Sequence, residues 1–184
     1  MKFDTTVFSD LLIITPNYIG DERGWFMRIY SEDLFKNNIH GFDNKKWVQS
    51  NHSYSKEKYT WRGLHFQKKP FQETKLVRCI SGSVIDFVVD IRADSKTFLK
   101  YFEIELSSIN KKMIYIPAGF AHGFFTLEDN TEMIYLHDKY YNAEFESGLN
   151  YRDPLINLKL PYSPNVVSQR DENHLLLNKN FKGI

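Results

Sequence analysis

Four groups of residues in this chain have side chains and spacings suited to proton transfer or to holding an anion. The first is Trp61-Arg62-Gly63-Leu64-His65-Phe66-Gln67, which sets a histidine three positions after an arginine among apolar neighbours. An imidazole takes up and returns protons near neutrality, and a guanidinium makes paired hydrogen bonds to phosphate. Successive residues of a strand point to opposite faces, so Arg62 and His65 share a face only if the chain bends or bulges at Gly63. Without that bulge His65 reads as a hydrogen-bonded core histidine. The second group is Ile116-Pro117-Ala118-Gly119-Phe120-Ala121-His122-Gly123-Phe124. Pro117 sets φ and Gly119 accepts a turn conformation, which together swing the chain back into a sheet with His122 aimed inward. The third is the run Glu132 to Tyr141, rich in tyrosine. A phenol beside a cation can give or lose a proton, although a single tyrosine in a β-protein is more often a packing residue. The fourth pairs two isolated charges, Lys75 at the start of a strand and Asp171 after Ser168-Gln169-Arg170, which are surface groups unless the fold carries them inward.

The elements that must position these residues are mostly strands. Turn residues cut the chain into short segments that alternate apolar with polar, and this predicts an all-β sandwich or barrel. From Val84 to Arg92 the residues Ile85, Phe87, Val89 and Ile91 fall on one face, and Val84, Asp86, Val88, Asp90 and Arg92 on the other. That pattern predicts one core face and one face toward a polar cavity or solvent. Ser81-Gly82-Ser83 joins this strand to Thr74–Ile80 as a hairpin. Further strands are expected at Phe98–Leu106, Lys111–Ile116, Phe124–Leu127 and Glu132–His137. Two short peripheral helices are expected, at Ser31–Asn38 with Ser31 as N-cap and at Asp171–Asn178.

Composition narrows the class. The 184 residues carry 24 Lys and Arg against 23 Asp and Glu, so no basic surface for nucleic acid is expected. An aromatic content of 16% argues against disorder. The lone Cys79 excludes an internal disulfide and any zinc site needing two cysteines. The apolar run Leu11–Ile14 is too short for a signal peptide or a membrane span, so a single cytoplasmic domain over residues 1–184 is expected.

Pro117-x-Gly119-x-x-His122 resembles the second motif of the cupin barrels, many of which hold a metal. The first cupin motif would offer His-x-His and a nearby Glu, whereas His65 stands alone, so neither metal nor cofactor is expected. Taken in order, Asp21–Phe26, Gln49–Ser53, Arg62–Gln67, Lys75–Arg78, Val89–Arg92, Ile116–Phe124 and Tyr140-Tyr141 resemble the dTDP-4-dehydrorhamnose 3,5-epimerase family of cupin-like enzymes over nearly the whole chain. The resemblance implies a cupin-like jelly-roll and cofactor-free proton chemistry on a nucleoside-diphosphate-linked 4-keto sugar. A C4 ketone acidifies the protons on C3 and C5, so the enzyme needs a base, an acid on the opposite face and a cation near the developing oxyanion. By resemblance His65 is the base, Asp171 its orienting partner, Lys75 the cation and Tyr135 the acid. The same resemblance implies that Arg23, Arg28, Gln49, Asn51, Arg62, His122 and Tyr141 line the substrate pocket. It also implies a homodimer in which Arg23 and its neighbours reach the other subunit's site.

The sequence departs from the family pattern at three places. Met27-Arg28 stands where the family carries x-Glu, Glu73-Thr74 replaces Gln-Gly, and Leu160 replaces a tryptophan. A cation in place of an acceptor cannot keep the same hydrogen bonds to thymine, which leaves open a GDP-linked 4-keto heptose of surface-polysaccharide synthesis. Inversion at C3 alone, a 3,4-ketoisomerase and a non-catalytic or metal-binding cupin are the remaining alternatives.

Overall fold

The structure is a computed structural model that describes residues 1–184. Two mostly antiparallel sheets face one another. The first runs, in spatial order, β1 (Lys2–Thr5), β2 (Leu12–Thr15), β10 (Met113–Ile116), β7 (Lys75–Ser81), β12 (Thr131–His137) and β5 (Gln49–Ser55). The second runs β13 (Glu146–Gly148), β6 (Thr60–Gln67), β11 (Phe120–Thr126), β8 (Ser83–Asp90) and β9 (Tyr101–Ser107), with β14 (Val166–Val167) parallel to β6. A separate hairpin, β3 (Tyr18–Asp21) and β4 (Gly24–Met27), projects with Ile19 and Phe26 exposed.

Period-2 alternation explains how each sheet serves two cores. Inward-facing Val77, Cys79 and Met133 of the first sheet meet Val84, Val88, Phe120 and Phe124 of the second. Outward-facing Trp61, Phe87, Val89 and Phe125 pack under the irregular C-terminal segment through Leu149, Ile156 and Val167. On the far side, Ile14, Leu76 and Tyr115 are covered by Phe35 of α1 (Glu32–Asn38) and by Phe42. Each such side chain contributes about 1.5–3 kcal/mol when fully buried.

The structure corrects several expectations. Of the two alternatives for the Asp-bearing face of β8, polar interior or solvent, the structure has the interior, with Asp86 and Asp90 both fully buried. His122 of the neighbouring strand bonds Asp86, while Arg92, Ser95 and Thr97 wrap Asp90. The strand expected from Phe124 begins at Phe120, directly after the Gly119 turn, where φ is +93°. The strand expected from Phe98 begins at Tyr101. The C-terminal helix is the four-residue α2 (Gln169–Glu172), displaced toward the N-terminus from the expected span because Ser168 caps it by accepting the Asp171 N–H. Ser31 precedes α1, but its hydroxyl turns to the Asp33 carboxylate instead of capping the backbone. The strands β1 to β5, β13 and β14 are not among those expected; most are short, and β3, β4 and β5 lack a buried apolar face to reveal them.

Candidate active site

Between the sheets lies a cavity of about 570 Å³. It gathers nine of the eleven expected site residues: His65, Arg62, Lys75, Tyr135, Asp171, Gln49, Asn51, His122 and Tyr141 all line it.

The bulge at Gly63 is what puts Arg62 and His65 on one face. Between β6 and β11, His65 pairs with His122 and Arg62 with Phe124, so three steps of one strand match two of the other. Gly63 has φ of +128°, and a Cβ there would lie 2.4 Å from the Gly123 Cα. Only glycine fits this crossing. Trp61 Nε1 donates to the Gly63 carbonyl at 2.7 Å and closes the bulge from outside.

His65 Nε2 lies 2.8 Å from Asp171 Oδ1, and the Gly63 N–H donates to Asp171 Oδ2 at 3.0 Å. Asp171 and Lys75 read as surface charges in the sequence; both are buried, at 2% and 7% exposure. Burial opposes ionisation of Asp171, but the hydrogen bonds from His65 and the Gly63 N–H hold its carboxyl well below the usual range. With Nε2 donating to Asp171, Nδ1 is the ring nitrogen left without a protein partner. Arg170 crowds the same spot: its guanidinium lies 3.0 Å from His65 Nε2 and bonds Glu146 at 2.9 Å. His174, set edge-on to His65, completes a His65–Asp171–His174 group whose ligand atoms lie within 4.8 Å of one another. It is the one arrangement here with metal-like spacing, and the Arg170 cation sits against it.

Across the cavity, Lys75, Tyr135 and His137 share the inward face of the first sheet. Tyr135 Oη is 2.9 Å from Ser53 Oγ, and burial pushes the phenol above its ordinary pKa, so it stays protonated. His122 Nε2 bonds the buried Asp86 Oδ2 at 2.7 Å. Its only partner of metal-ligating type is that carboxylate, so the cupin motif here builds a histidine–carboxylate pair instead of a coordination sphere. Tyr141 donates its hydroxyl to Glu146 at 2.8 Å.

Two expected residues are not at the cavity. Arg23 sits on the projecting hairpin, where it forms a bidentate pair with Asp21, and Arg28 is exposed just beyond it. The departure at Glu73, by contrast, is inside. Its carboxylate spans Lys75 Nζ at 3.1 Å and His137 Nδ1 at 2.9 Å. Burial opposes its ionisation, yet the Lys75 charge and the His137 N–H bring it down to about 2. Glu73, His137, Asp86 and Arg170 do not stand out as site residues in the sequence, because each becomes one only through a partner distant in sequence or on another element. Glu73 two positions before Lys75 is the one local signal.

A histidine–carboxylate pair facing a protonated phenol and a buried ammonium across a cavity between two β-sheets suits proton-transfer chemistry on a cupin-like fold, and the known proteins that share this fold are isomerases. A family profile described as dTDP-4-dehydrorhamnose 3,5-epimerase matches residues 5–179. The Shigella flexneri dTDP-4-dehydrorhamnose 3,5-epimerase is 40% identical over 173 residues, 94% of each chain. A Bacillus anthracis dTDP-4-dehydrorhamnose 3,5-epimerase crystallised with TDP and PPi superposes with a TM-score of 0.90 at 38% identity, covering 96% of this chain and 99% of the other. A Legionella pneumophila enzyme in complex with dTDP-4-keto-L-rhamnose also gives 0.90, at 34% identity, covering 95% and 92%. The chain belongs to the dTDP-4-dehydrorhamnose 3,5-epimerase family and is an epimerase.

Proposed function

We propose that the chain epimerises a dTDP-linked 4-keto-6-deoxy sugar at C3 and C5 by cofactor-free proton exchange. The observation that carries this reading is the placement of His65–Asp171 on one wall of the cavity and Tyr135 with Lys75 on the other. His65 Nδ1 takes the proton from C3, and the C–H electron pair moves through the enolate to O4. The Lys75 ammonium stabilises that oxyanion. Tyr135 gives its proton to the opposite face of the carbon, and both residues re-equilibrate with water. Repeating the cycle at C5 completes the inversion. Asp171 keeps the tautomer that presents Nδ1 and stabilises the imidazolium.

Gln49, Asn51, Arg62 and Tyr141 hold the nucleoside diphosphate, with His122–Asp86 supporting the wall beside Tyr135. Arg23 and Arg28 complete the site from a second subunit. The exposed apolar hairpin favours that arrangement, since Tyr18, Ile19, Trp25 and Phe26 are each more than half exposed. Arg28 favours a second reading, a GDP-linked 4-keto heptose, because it places a cation where the family carries an acceptor. The relatives named above favour dTDP.

The test is exchange in D₂O. Incubation with dTDP-linked 4-keto-6-deoxyglucose should put deuterium at C3 and C5, while a GDP-linked 4-keto sugar exchanges more slowly. Faster exchange with the GDP sugar selects the second reading. Exchange with neither, or a product ketone at C3, refutes both. Sedimentation of wild type against Phe26→Ser and Trp25→Ser tests the dimer.

A further inference from the structure

Six groups in the cavity form a single hydrogen-bonded line from one end to the other. The backbone N–H of Tyr141 donates to Gln49 Oε1 at 2.9 Å, and Gln49 Nε2 donates to Asn51 Oδ1 at 3.1 Å. Asn51 Nδ2 lies 3.3 Å from His137 Nε2. An amide nitrogen can only donate, so His137 Nε2 must accept and its proton resides on Nδ1. Nδ1 then donates to Glu73 Oε2 at 2.9 Å, an oxygen that also accepts from Gln67 Nε2 at 3.1 Å, and Glu73 Oε1 takes the Lys75 ammonium at 3.1 Å.

The ends of this line impose a rule. A backbone N–H and an ammonium are both donors, so a line joining them must contain one member that accepts from both of its neighbours. The Glu73 carboxylate is that member. Every bond on the Tyr141 side then points the same way, toward Glu73, and in a low-dielectric cavity such bonds polarise one another.

We propose that Glu73 and His137 are positioning residues that couple occupancy of the nucleotide end of the cavity to the placement of the Lys75 ammonium at the ketone end. This rests on the proposed function, in which Gln49 and Asn51 meet the nucleoside diphosphate and Lys75 meets O4. A ligand that turns the Asn51 or Gln49 amide changes what His137 can donate, and so changes the grip of Glu73 on Lys75.

The donor rule makes the coupling testable with near-isosteric variants. In Glu73→Gln the new amide N–H faces either the Lys75 ammonium or His137. Reversing the His137 tautomer and both amides only moves the clash to the Tyr141 N–H, so one link must break. His137→Gln preserves the line, since its Nε2 can donate to Glu73 and its Oε1 can accept from Asn51. His137→Leu cuts it.

The experiment measures dTDP affinity by calorimetry together with kcat and KM for the full sugar nucleotide, on variants whose thermal unfolding is recorded alongside. A broken link to a charged group is expected to cost roughly 10- to 100-fold. Glu73→Gln and His137→Leu should therefore weaken dTDP about tenfold, although dTDP lacks the 4-keto sugar that meets Lys75, and lower kcat about 10- to 100-fold. His137→Gln should stay within about threefold of wild type in both. If Glu73→Gln changes kcat and leaves dTDP affinity untouched, or if His137→Gln is as damaged as His137→Leu, the coupling is wrong. Gln49→Ala and Asn51→Ala separate the two claims. If they weaken dTDP while Glu73→Gln does not, the coupling alone fails; if they leave dTDP unchanged, the nucleotide assignment fails and takes the coupling with it.

Discussion

Replacing Asp171 by asparagine changes one atom and should silence the base. The carboxylate holds two donors, Gly63 N–H at 3.0 Å and His65 Nε2 at 2.8 Å, inside a site where Asp171 is only 2% exposed. In Asp171→Asn the side chain can keep the Gly63 bond only with its oxygen on that side, which turns the amide NH₂ toward His65. Nε2 must then accept, the proton moves to Nδ1, and the nitrogen facing the substrate is blocked. Arg170 reinforces this, because its guanidinium also offers a donor to Nε2 at 3.0 Å. Loss of the correct tautomer together with the imidazolium's counter-charge should lower the exchange rate roughly 10³- to 10⁴-fold. KM should change by less than about threefold, since no substrate contact is removed. The assay is deuterium incorporation at C3 in D₂O, followed by mass spectrometry, with dTDP affinity as a binding control. Exchange within about tenfold of wild type would refute the tautomer argument and leave His65 without its assigned role.

Tyr135→Phe should separate the two half-reactions: His65 still removes the C3 proton, so deuterium washes in on the original face, while net inversion falls by about 10²- to 10⁴-fold. Parallel loss of exchange and inversion would place Tyr135 elsewhere in the mechanism. Gly63→Ala meets the Gly123 backbone at 2.4 Å and should destabilise the fold by about 2–4 kcal/mol with loss of activity, read from urea midpoints. An alanine variant with wild-type stability would show that the two strands part easily at this crossing. Glu73 titrates at about 2 in the folded chain, against an ordinary value of 4.5. Its stabilising contribution is therefore complete above the ordinary value and disappears as pH falls from about 5 toward 2; it amounts to about 3–4 kcal/mol at most. Melting temperatures of wild type and Glu73→Gln should converge over that window, and a constant gap down to about pH 3 would contradict the assignment.

Arg62, His65 and His122 stand out from residue types and local spacing, because their motifs are short and each sits on a single strand, whereas Lys75, Tyr135 and Asp171 are singled out by the family resemblance, Asp171 lying in the short helix α2. Alternation located the strands from Lys75 to His137, since each carries apolar residues at alternate positions, but it misplaced the starts of β9 and β11. The weak strands escaped because β3 and β4 are exposed on both sides and β13 and β14 are two or three residues long. The Glu73-for-Gln departure was visible in the sequence as a substitution, but its partner His137 lies 64 positions away, and only the pairing of β7 with β12 brings the two to 2.9 Å. Arg62 and His65 pose the same division in miniature: the need for a bulge follows from period 2, while its occurrence depends on Gly63 crossing Gly123 on another strand. Sequence by itself thus determined which chemical groups are present and in what order along the chain. Whether those groups are charged, which nitrogen of His65 is free and which carboxylate faces which cation were decided by the tertiary structure, because ionisation and hydrogen-bond direction depend on burial and on neighbours that the chain supplies from far away.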